Sequence, residues 1–427
     1  MIQIHPAQTP PVATVHLPGS KSYTNRALAV AALAEGRSVL RGALFSDDTD
    51  HMATALTALG ITVEADARGQ VMTVEGCGGK LPEDAASLFC GNAGTAVRFL
   101  LAICALGRGR YVIDGDARMR ERPQGPLLAA LRSLGAEVTS QFGNDCPPVT
   151  ILADGLRGGT LSMDGSLSSQ YFTALCQAAP AMELGLDLRV EGDLVSKPYL
   201  DMTAEVMAAF GVTMVNESYG RFIVAPGQRY QATSYQVEPD ASGASYFLAA
   251  AALTGGRITI NGLTRASKQG DVAFADVLAQ MGCTVTDSPE GLTVEGPDKL
   301  TGVSVDMNAI SDTALTLAAI APFADGPTEI RGIAHARRQE CDRVAAVAVE
   351  LTRLGVKVEE RPDGWLIEPS QPTGGSVETY DDHRMAMSFA LIGLKVPGIQ
   401  IRNPECVRKT FPSFWQRFGA LTLPGLA

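Results

Sequence analysis

The amino-acid sequence predicts an α/β protein of two domains, each an inside-out α/β barrel with buried helices in the middle and short sheets outside. Three observations predict it. A polar cluster opens an apolar, mostly Ala-rich run six times, and the clusters hold Ser22, Thr95, Ser169, Ser242, Asp312 and Asp382, successively about 70 to 74 residues apart. The runs are apolar almost all round, which marks helices covered on every side. Gly-led β segments follow them, so one supersecondary unit is copied six times.

Within a unit the first helix is read from ALAVAALA (27–34), FLAAAALT (247–254), ALTLAAIA (314–321) and MAMSFALI (385–392). These are the interior helices. The second helix is read from MATALTALG (52–60), LLAALRSLG (127–135), TAEVMAAFG (203–211), FADVLAQMG (274–282) and AVELTRLG (348–355). Such runs mix faces and stop at a Gly suited to the C′ position, so they lie on the interior helices with one face partly wet. The segments 36–42, 109–115, 256–262 and 326–332 follow the first helix, and 71–76 and 291–296 follow the second; all read as short strands with turns between. Six units divide three and three. The expected N-terminal lobe is 20–235, and the C-terminal lobe is 236–427 joined by 1–19, with a two-stranded hinge between them. No Gly/Ser-rich linker marks the seam, which falls near SYQVEPD (234–240).

Composition narrows the function classes. With 427 residues and 46% hydrophobic content the chain has ample core. A net charge of -11 argues against a protein that coats nucleic acid or an anionic membrane, so an anionic ligand must be handled locally. No apolar stretch reaches the roughly 18 to 20 residues that span a bilayer, and the opening MIQIHPAQTPP lacks the regions of a signal peptide; the cytoplasm is the expected compartment. The eight cysteines are scattered, with no CxxC and no nearby paired histidines, so they read as reduced core thiols and no metal site is expected.

Ser, Asp, Asn and Thr before a helix are ordinarily N-caps, and capping is the default reading of any single cluster. Capping does not account for the cations. Lys21, Arg26, Arg98 and Arg384 sit in or near first turns, where a positive charge opposes the helix macrodipole by roughly 0.3 to 1 kcal/mol. An anion removes the conflict, and GNAGTA (91–96) adds exposed backbone amides. The expectation is a cleft for multiply charged small molecules. LPGSKSYT lacks P-loop spacing and no GxGxxG opens a βαβ unit, so no nucleotide cofactor is expected. In RMRERPQG (118–125), Arg118, Arg120 and Arg122 alternate, so an extended loop puts them on one side; the alternative is a solvated charge run. In HARRQECDR (335–343), Glu340 and Arg343 stand three apart at a helix start, where the plain alternative is a surface pair.

Nine segments, LPGSKSYTNRAL, FCGNAGTAVRFL, RMRERP, SSQYFTAL, SKPY, MNAISDTALTLA, ECDRVAAVAVEL, DDHRMAMSFAL and KTFPSFW, stand in one order along nearly the whole chain. That series resembles the enolpyruvyl transferases, and among them those whose acceptor is shikimate 3-phosphate. The resemblance implies the family's fold, an alpha-beta prism of six repeated units. It also implies transfer of the carboxyvinyl group of phosphoenolpyruvate to the 5-hydroxyl of shikimate 3-phosphate through a tetrahedral intermediate, with release of phosphate, as a step of chorismate and aromatic amino acid biosynthesis. By matching position, Lys21, Gly94, Arg122, Gln170, Arg343, Arg384 and Lys409 would hold phosphoenolpyruvate. Lys21, Ser22, Arg26, Ser168, Ser169, Gln170, Ser196, Tyr199 and Asp312 would hold shikimate 3-phosphate, with His335 and Gln339 near its phosphate or ring hydroxyls.

The reaction needs a proton taken from the attacking hydroxyl and one delivered to the methylene carbon. Asp312 is the candidate on the hydroxyl side, as base or as orienting group, because a carboxylate among cations has a lowered pKa. Glu340, with or without Lys21, is the candidate on the methylene side. The sequence departs from the family pattern at His335, where Asn is usual, at Gln339, where Lys is usual, and at Phe99, where many relatives carry Pro. Losing a lysine at 339 leaves the acceptor phosphate to the Ser168/Ser169 opening and a histidine, or changes the acceptor. Four other readings compete. One is an acceptor-shifted paralogue from specialised metabolism, which an assay of shikimate 3-phosphate against alternative phosphorylated alcohols would separate. The enolpyruvyl transferase acting on a UDP-sugar typically carries a cysteine on the loop matched by RMRERP, which has none. RNA 3′-phosphate cyclases share the repeat topology but should need nucleotide and a catalytic histidine. A catalytically dead metabolite-binding relative would be expected to lose the charged residues. The expected partners are the two small-molecule substrates alone, and the expected state is a monomer.

Overall fold

Helices form wherever Ala-rich runs leave no face for water, and the computed structural model, which describes residues 1–422, shows twelve α-helices in that range. They are α1 (Lys21–Leu33), α2 (Asp47–Ala58), α3 (Gly94–Ala105), α4 (Gly125–Ser133), α5 (Ser169–Ala178) and α6 (Pro198–Ala209). Then come α7 (Ala241–Thr254), α8 (Phe274–Gln280), α9 (Ala314–Ile320), α10 (Arg343–Arg353), α11 (His383–Gly393) and α12 (Phe414–Ala420). The odd-numbered helices are the interior ones. Every residue of α3, α9 and α11 is buried, and α1, α3 and α5 pack on one another, as do α7, α9 and α11.

Two compact units result, one of residues 19–237 and one of 1–18 with 238–427, each with its own hydrophobic core. Three small sheets belong to each, and five of the six follow one pattern. A strand runs parallel to the one after the interior helix, and an antiparallel hairpin follows. In the second copy these strands are 85–89, 108–114, 149–154 and 137–140 in spatial order, joined by α3 and α4.

The first strand of two copies comes from elsewhere in the chain. Ser234–Gln236 pairs in parallel with Val39–Arg41, so the first copy is completed by the segment that follows the third. Val12–Val15 pairs in parallel with Arg257–Ile260 and completes the fourth. In the sixth, the three-stranded sheet takes Ile2–Gln3 antiparallel to Gln400–Ile401.

Five of the six even-numbered helices, α2 to α10, stop for a common local reason. Gly60, Gly135, Gly211, Gly282 and Gly355 stand two residues past the ends of α2, α4, α6, α8 and α10, all at positive φ between 82° and 105°. That conformation turns the chain from helix into strand at no cost only for glycine.

A second glycine position repeats because backbones meet there. A Cβ on Gly76 would lie 2.2 Å from the Ala34 carbonyl oxygen, and one on Gly296 2.2 Å from that of Ala251. In each case a strand end rests on the carbonyl end of an interior helix. The eight thiols are unpaired, and burial raises the pKa of each, to about 12 for Cys90, Cys176, Cys283 and Cys406. No described helix is long and apolar enough to cross a membrane.

Gly296→Ala is expected to destabilise the protein by about 1 to 3 kcal/mol through overpacking against backbone that cannot move aside, with Gly76→Ala alike, as read from urea unfolding. A loss below half a kcal/mol at both positions would show that the strand ends do not rest on the helices.

Candidate functional site

Four of the six interior helices, α1, α5, α7 and α11, begin at a side-chain cap. Ser20 accepts from the Tyr23 amide and Ser168 from the Gln170 amide, at 3.4 and 3.3 Å. Asp240 accepts from Gly243 and Asp382 from Arg384, both at 2.8 Å. Ser22, Thr95, Ser169 and Ser242 are therefore past the cap, inside the first turn, and only Asp382 among the six is itself a cap. Asp312 lies in a 3₁₀ turn, Asn308–Thr313, that leads into α9.

In the unit 19–237, Gly94, Ser169, Gln170 and Tyr199 stand in the first turns of α3, α5 and α6, Ser168 caps α5, Ser196 precedes α6, Arg26 lies in the second turn of α1 and Arg122 closes the turn ahead of α4. Arg26 ties three helices together. Its guanidinium donates to Thr203 Oγ1 at 3.0 Å, the Ser22 carbonyl at 3.0 Å, the Tyr199 carbonyl at 3.2 Å and Thr173 Oγ1 at 3.5 Å, and it lies 5.4 Å from the Tyr199 ring centre. Every one of these oxygens is neutral. Burial therefore pushes the Arg26 pKa down to about 10, with nearby tyrosines opposing. Arg98 donates to Gln124 Oε1 at 3.3 Å and to Gln170 Oε1, which joins α3 to α5. Arg122 donates to the carbonyl and the side-chain oxygen of Asn92 at 3.1 and 2.8 Å, and its guanidinium lies against Gly94, where a Cβ would come within 2.6 Å. Lys21, at the first position of α1, sits 3.4 Å from the buried Asp48 carboxylate. Ser196 holds a φ of +53°, a sterically costly conformation that aims the chain into α6.

The arginines of RMRERP do not share a side. Met119–Glu121 forms a 3₁₀ turn, and residues two apart splay on such a turn rather than align. Arg118 pairs with Glu121, Arg120 pairs with Asp114, and only Arg122 is buried.

In the unit 1–18 with 238–427, six candidates form one network. Arg343 is 2% exposed and donates to Asp382 at 2.7 and 3.3 Å, to Glu340 Oε2 at 2.9 Å, to Asp312 Oδ1 at 3.2 Å and to Gln339 Oε1. Arg384 donates to the other Asp312 oxygen at 2.7 Å, and Lys409 lies 3.6 Å from Glu340 Oε1. The surface reading of Glu340 and Arg343 is thus overturned: both are buried. Burial alone would lower the Arg343 pKa, but Asp382, Glu340 and Asp312 together raise it. His335 Nε2 is 2.9 Å from Ser311 Oγ, next to Asp312; burial lowers its pKa, Asp312 opposes and Arg343 reinforces. The ring is accordingly neutral at pH 7.

Lys409 is placed by aromatic packing. It ends the turn Pro404–Lys409, and the following Phe411, Phe414 and Phe418 stack among themselves and against Phe247 of α7.

The sequence reading left out Asp48, Asn92, Gln124 and Asp382 as site residues, and counted Arg98 among the cations of the cleft without giving it a substrate. Asn92, Arg98 and Asp382 stand in the quoted motifs and were legible there. Asp48 belongs to the acidic run 47–50, whose obvious reading is a favourable charge at the start of α2; nothing local points it at Lys21.

Residues 7–418 match the family model of EPSP synthase (3-phosphoshikimate 1-carboxyvinyltransferase). The chain is 49% identical over 417 residues to the 3-phosphoshikimate 1-carboxyvinyltransferase of Nostoc punctiforme, covering 98% of each. It is 48% identical to that of Trichormus variabilis, covering 97% of each. Among solved structures it resembles EPSP synthase from Acinetobacter baumannii with a TM-score of 0.81 and 27% identity, over 97% of this chain and 96% of that one.

Asp382→Asn keeps a capping oxygen but removes the charge facing Arg343, so it is expected to destabilise the protein by about 3 to 5 kcal/mol. Urea unfolding checks this, and a change under 1 kcal/mol would show that Glu340 and Asp312 suffice to hold the guanidinium.

Proposed function

The chain belongs to the EPSP synthase family, and we propose that it transfers the enolpyruvyl group of phosphoenolpyruvate to the 5-hydroxyl of shikimate 3-phosphate. The products are 5-enolpyruvylshikimate 3-phosphate and phosphate. The observation that carries this reading is the network on Arg343, in which two carboxylates suited to proton transfer, Asp312 and Glu340, are held by one buried guanidinium beside Arg384 and Lys409.

In this proposal Lys21, Ser22, Arg26, Ser168, Ser169, Gln170, Ser196 and Tyr199 hold shikimate 3-phosphate, with Asp312, His335 and Gln339 on the acceptor as well. Phosphoenolpyruvate falls to Lys21, Gly94, Arg122, Gln170, Arg343, Arg384 and Lys409. The network balances three carboxylates, Asp312, Glu340 and Asp382, against three cations, Arg343, Arg384 and Lys409. An arriving phosphate or carboxylate competes for Arg384 and Lys409, and to that extent loosens Asp312 and Glu340 from them. Substrate binding thereby exposes the two groups that the chemistry needs.

Asp312 then orients the 5-hydroxyl and accepts its proton as the oxygen bonds to C2 of phosphoenolpyruvate, while Glu340, with Lys21, delivers a proton to C3. Collapse of the tetrahedral intermediate breaks the bond from C2 to the phosphate oxygen while a C3 proton returns to Glu340, and the proton held by Asp312 leaves on the phosphate, so both groups end in the protonation state in which they began. With Gln339 in place of a lysine, His335 neutral and Arg26 on neutral partners, the acceptor phosphate is left to Arg26, Lys21 and the Ser168/Ser169 opening. We propose further that the protein works as a monomer in the cytoplasm, the first of which size-exclusion chromatography checks.

Phosphate release from phosphoenolpyruvate should require shikimate 3-phosphate and should not respond to a UDP-sugar; the reverse would assign another acceptor. Asp312→Ala should lower kcat by about 10²- to 10⁴-fold and shift the phosphoenolpyruvate KM far less. Unchanged turnover would remove Asp312 from the chemistry.

A further inference from the structure

The chain enters α11 through two left-handed residues that are not glycine. Tyr380 and Asp381 have φ of +54° and +56°, and the Asp382 amide closes the turn on the Thr379 carbonyl at 2.9 Å. Positive φ at both central positions is the pattern of a type I′ turn, which suits Gly, Asn and Asp but not a bulky aromatic residue. Core packing does not impose it on Tyr380, which is 36% exposed while Thr379 and Asp382 on either side are buried.

Side-chain tethers hold the turn instead. The Tyr380 hydroxyl donates to Glu350 Oε1 at 2.7 Å, and Glu350 Oε2 accepts from the Glu378 amide at 3.1 Å. Arg353 also donates to Oε1, at 2.6 Å, and the Glu350 side chain is fully buried. Asp381 accepts from Asn403 Nδ2 at 2.8 Å, and Asn403, itself left-handed, stands directly ahead of Pro404–Lys409. Arg343 and Glu350 are about two turns apart on α10 and so share one face of it. That face holds the turn at two points, Glu350 at Tyr380 and Arg343 at Asp382.

We propose that Tyr380 is a positioning residue for the phosphoenolpyruvate side of the reaction: its hydroxyl, anchored on Glu350, holds the strained turn that fixes Asp382 between Arg343 and the start of α11. A conformation this costly for a bulky residue persists only where its surroundings over-determine it. What the turn fixes is the carboxylate that orients Arg343 and caps the helix bearing Arg384. Through Asp381 and Asn403 the same turn is tied to the segment that carries Lys409. A glycine at 380 would take the same φ without strain, but it would leave the turn without its anchor on α10. The consequence for substrate rests on the assignment of phosphoenolpyruvate to Arg343, Arg384 and Lys409 made above.

The test is a comparison of KM values for the two substrates. Tyr380→Phe and Tyr380→Gly should each raise the phosphoenolpyruvate KM by about threefold to tenfold, the scale of one hydrogen bond, and the shikimate 3-phosphate KM by less than about twofold. Tyr219 supplies the control. Ser218 and Tyr219 are also left-handed, at the turn between strands Met214–Glu217 and Arg221–Val224, and the Tyr219 hydroxyl donates to Asp201 Oδ2 at 2.8 Å. Neither Tyr219 nor Asp201 is assigned to a substrate, so Tyr219→Phe should leave the phosphoenolpyruvate KM unchanged. A wild-type phosphoenolpyruvate KM in either Tyr380 variant, equal rises for both substrates, or the same rise in Tyr219→Phe would each overturn the proposal.

A second readout needs no substrate, and so separates the positioning role from the assignment of the reaction. The Arg384 amide, which donates to Asp382, should exchange with solvent deuterium at least about threefold faster in Tyr380→Phe, because a loosened turn opens the cap locally. The Gly243 amide, which donates to Asp240 at the start of α7, should exchange at the wild-type rate. Unchanged exchange at Arg384, or equal acceleration at both amides, would refute the positioning role. A wild-type enzyme without turnover on the two substrates would strike the assignment of the reaction, and the exchange result would still decide the role of Tyr380.

Discussion

A helix buried along its whole length has only its two ends to offer. In α3, α9 and α11 no side chain reaches solvent, so any chemistry these helices support must occur where they begin or stop. At the carbonyl ends, strand glycines close two of the interior helices, Gly76 on α1 and Gly296 on α7, where left-handed Gly255 also caps the helix. Their amide ends carry the cations, the hydroxyls and the carboxylates. Copying the unit six times produces six such ends, and function enters through the ways in which they differ.

The differences follow the two units. In residues 19–237, Arg26 rests wholly on neutral oxygens and aromatic faces, and its lowered pKa measures how poorly that compensates burial of a cation. A dianionic phosphate would supply what is missing, because charge-assisted bonds to a guanidinium are roughly twice as strong as neutral ones. The other unit resolves the same problem internally. Arg343 is held by three carboxylates, and its pKa moves the opposite way. One arrangement favours a ligand whose anion remains throughout, and the other favours anions that arrive and leave, since its cations have carboxylates to return to.

Much of this was legible from periodicity. The Ala-rich runs, the Gly that ends each second helix and the strand motifs all act through short-range sterics, so a window of ten residues carries the signal. Strand donation showed only coarsely: residues 1–19 were expected to join the C-terminal lobe, but nothing in Val12–Val15 or in Arg257–Ile260 names the other as its partner. The site divides similarly. Arg122, Gln170, Arg343 and Arg384 stand in motifs, whereas Asp48 enters through a tertiary contact with Lys21, 27 positions away. The loop 118–122 misled because alternation implies one face only on an extended chain, and three residues of 3₁₀ turn destroy that premise.

The sixth copy shows how an irregular repeat places a residue that no regular one could. In the other copies the second helix leads into an antiparallel hairpin that completes the sheet. Here the antiparallel position beside Gln400–Ile401 is filled by Ile2–Gln3, which relieves the segment after residue 401 of any duty in the sheet. That segment winds as Pro404–Lys409 against α11 and then buries Phe411, Phe414 and Phe418 against α7. Lys409 is carried to Glu340 as a consequence, on a rigid turn fixed from both sides. A long flexible side chain held this way loses little further entropy when it takes up an anion, so the aromatic cluster, itself uncharged, contributes to binding through the lysine it immobilises.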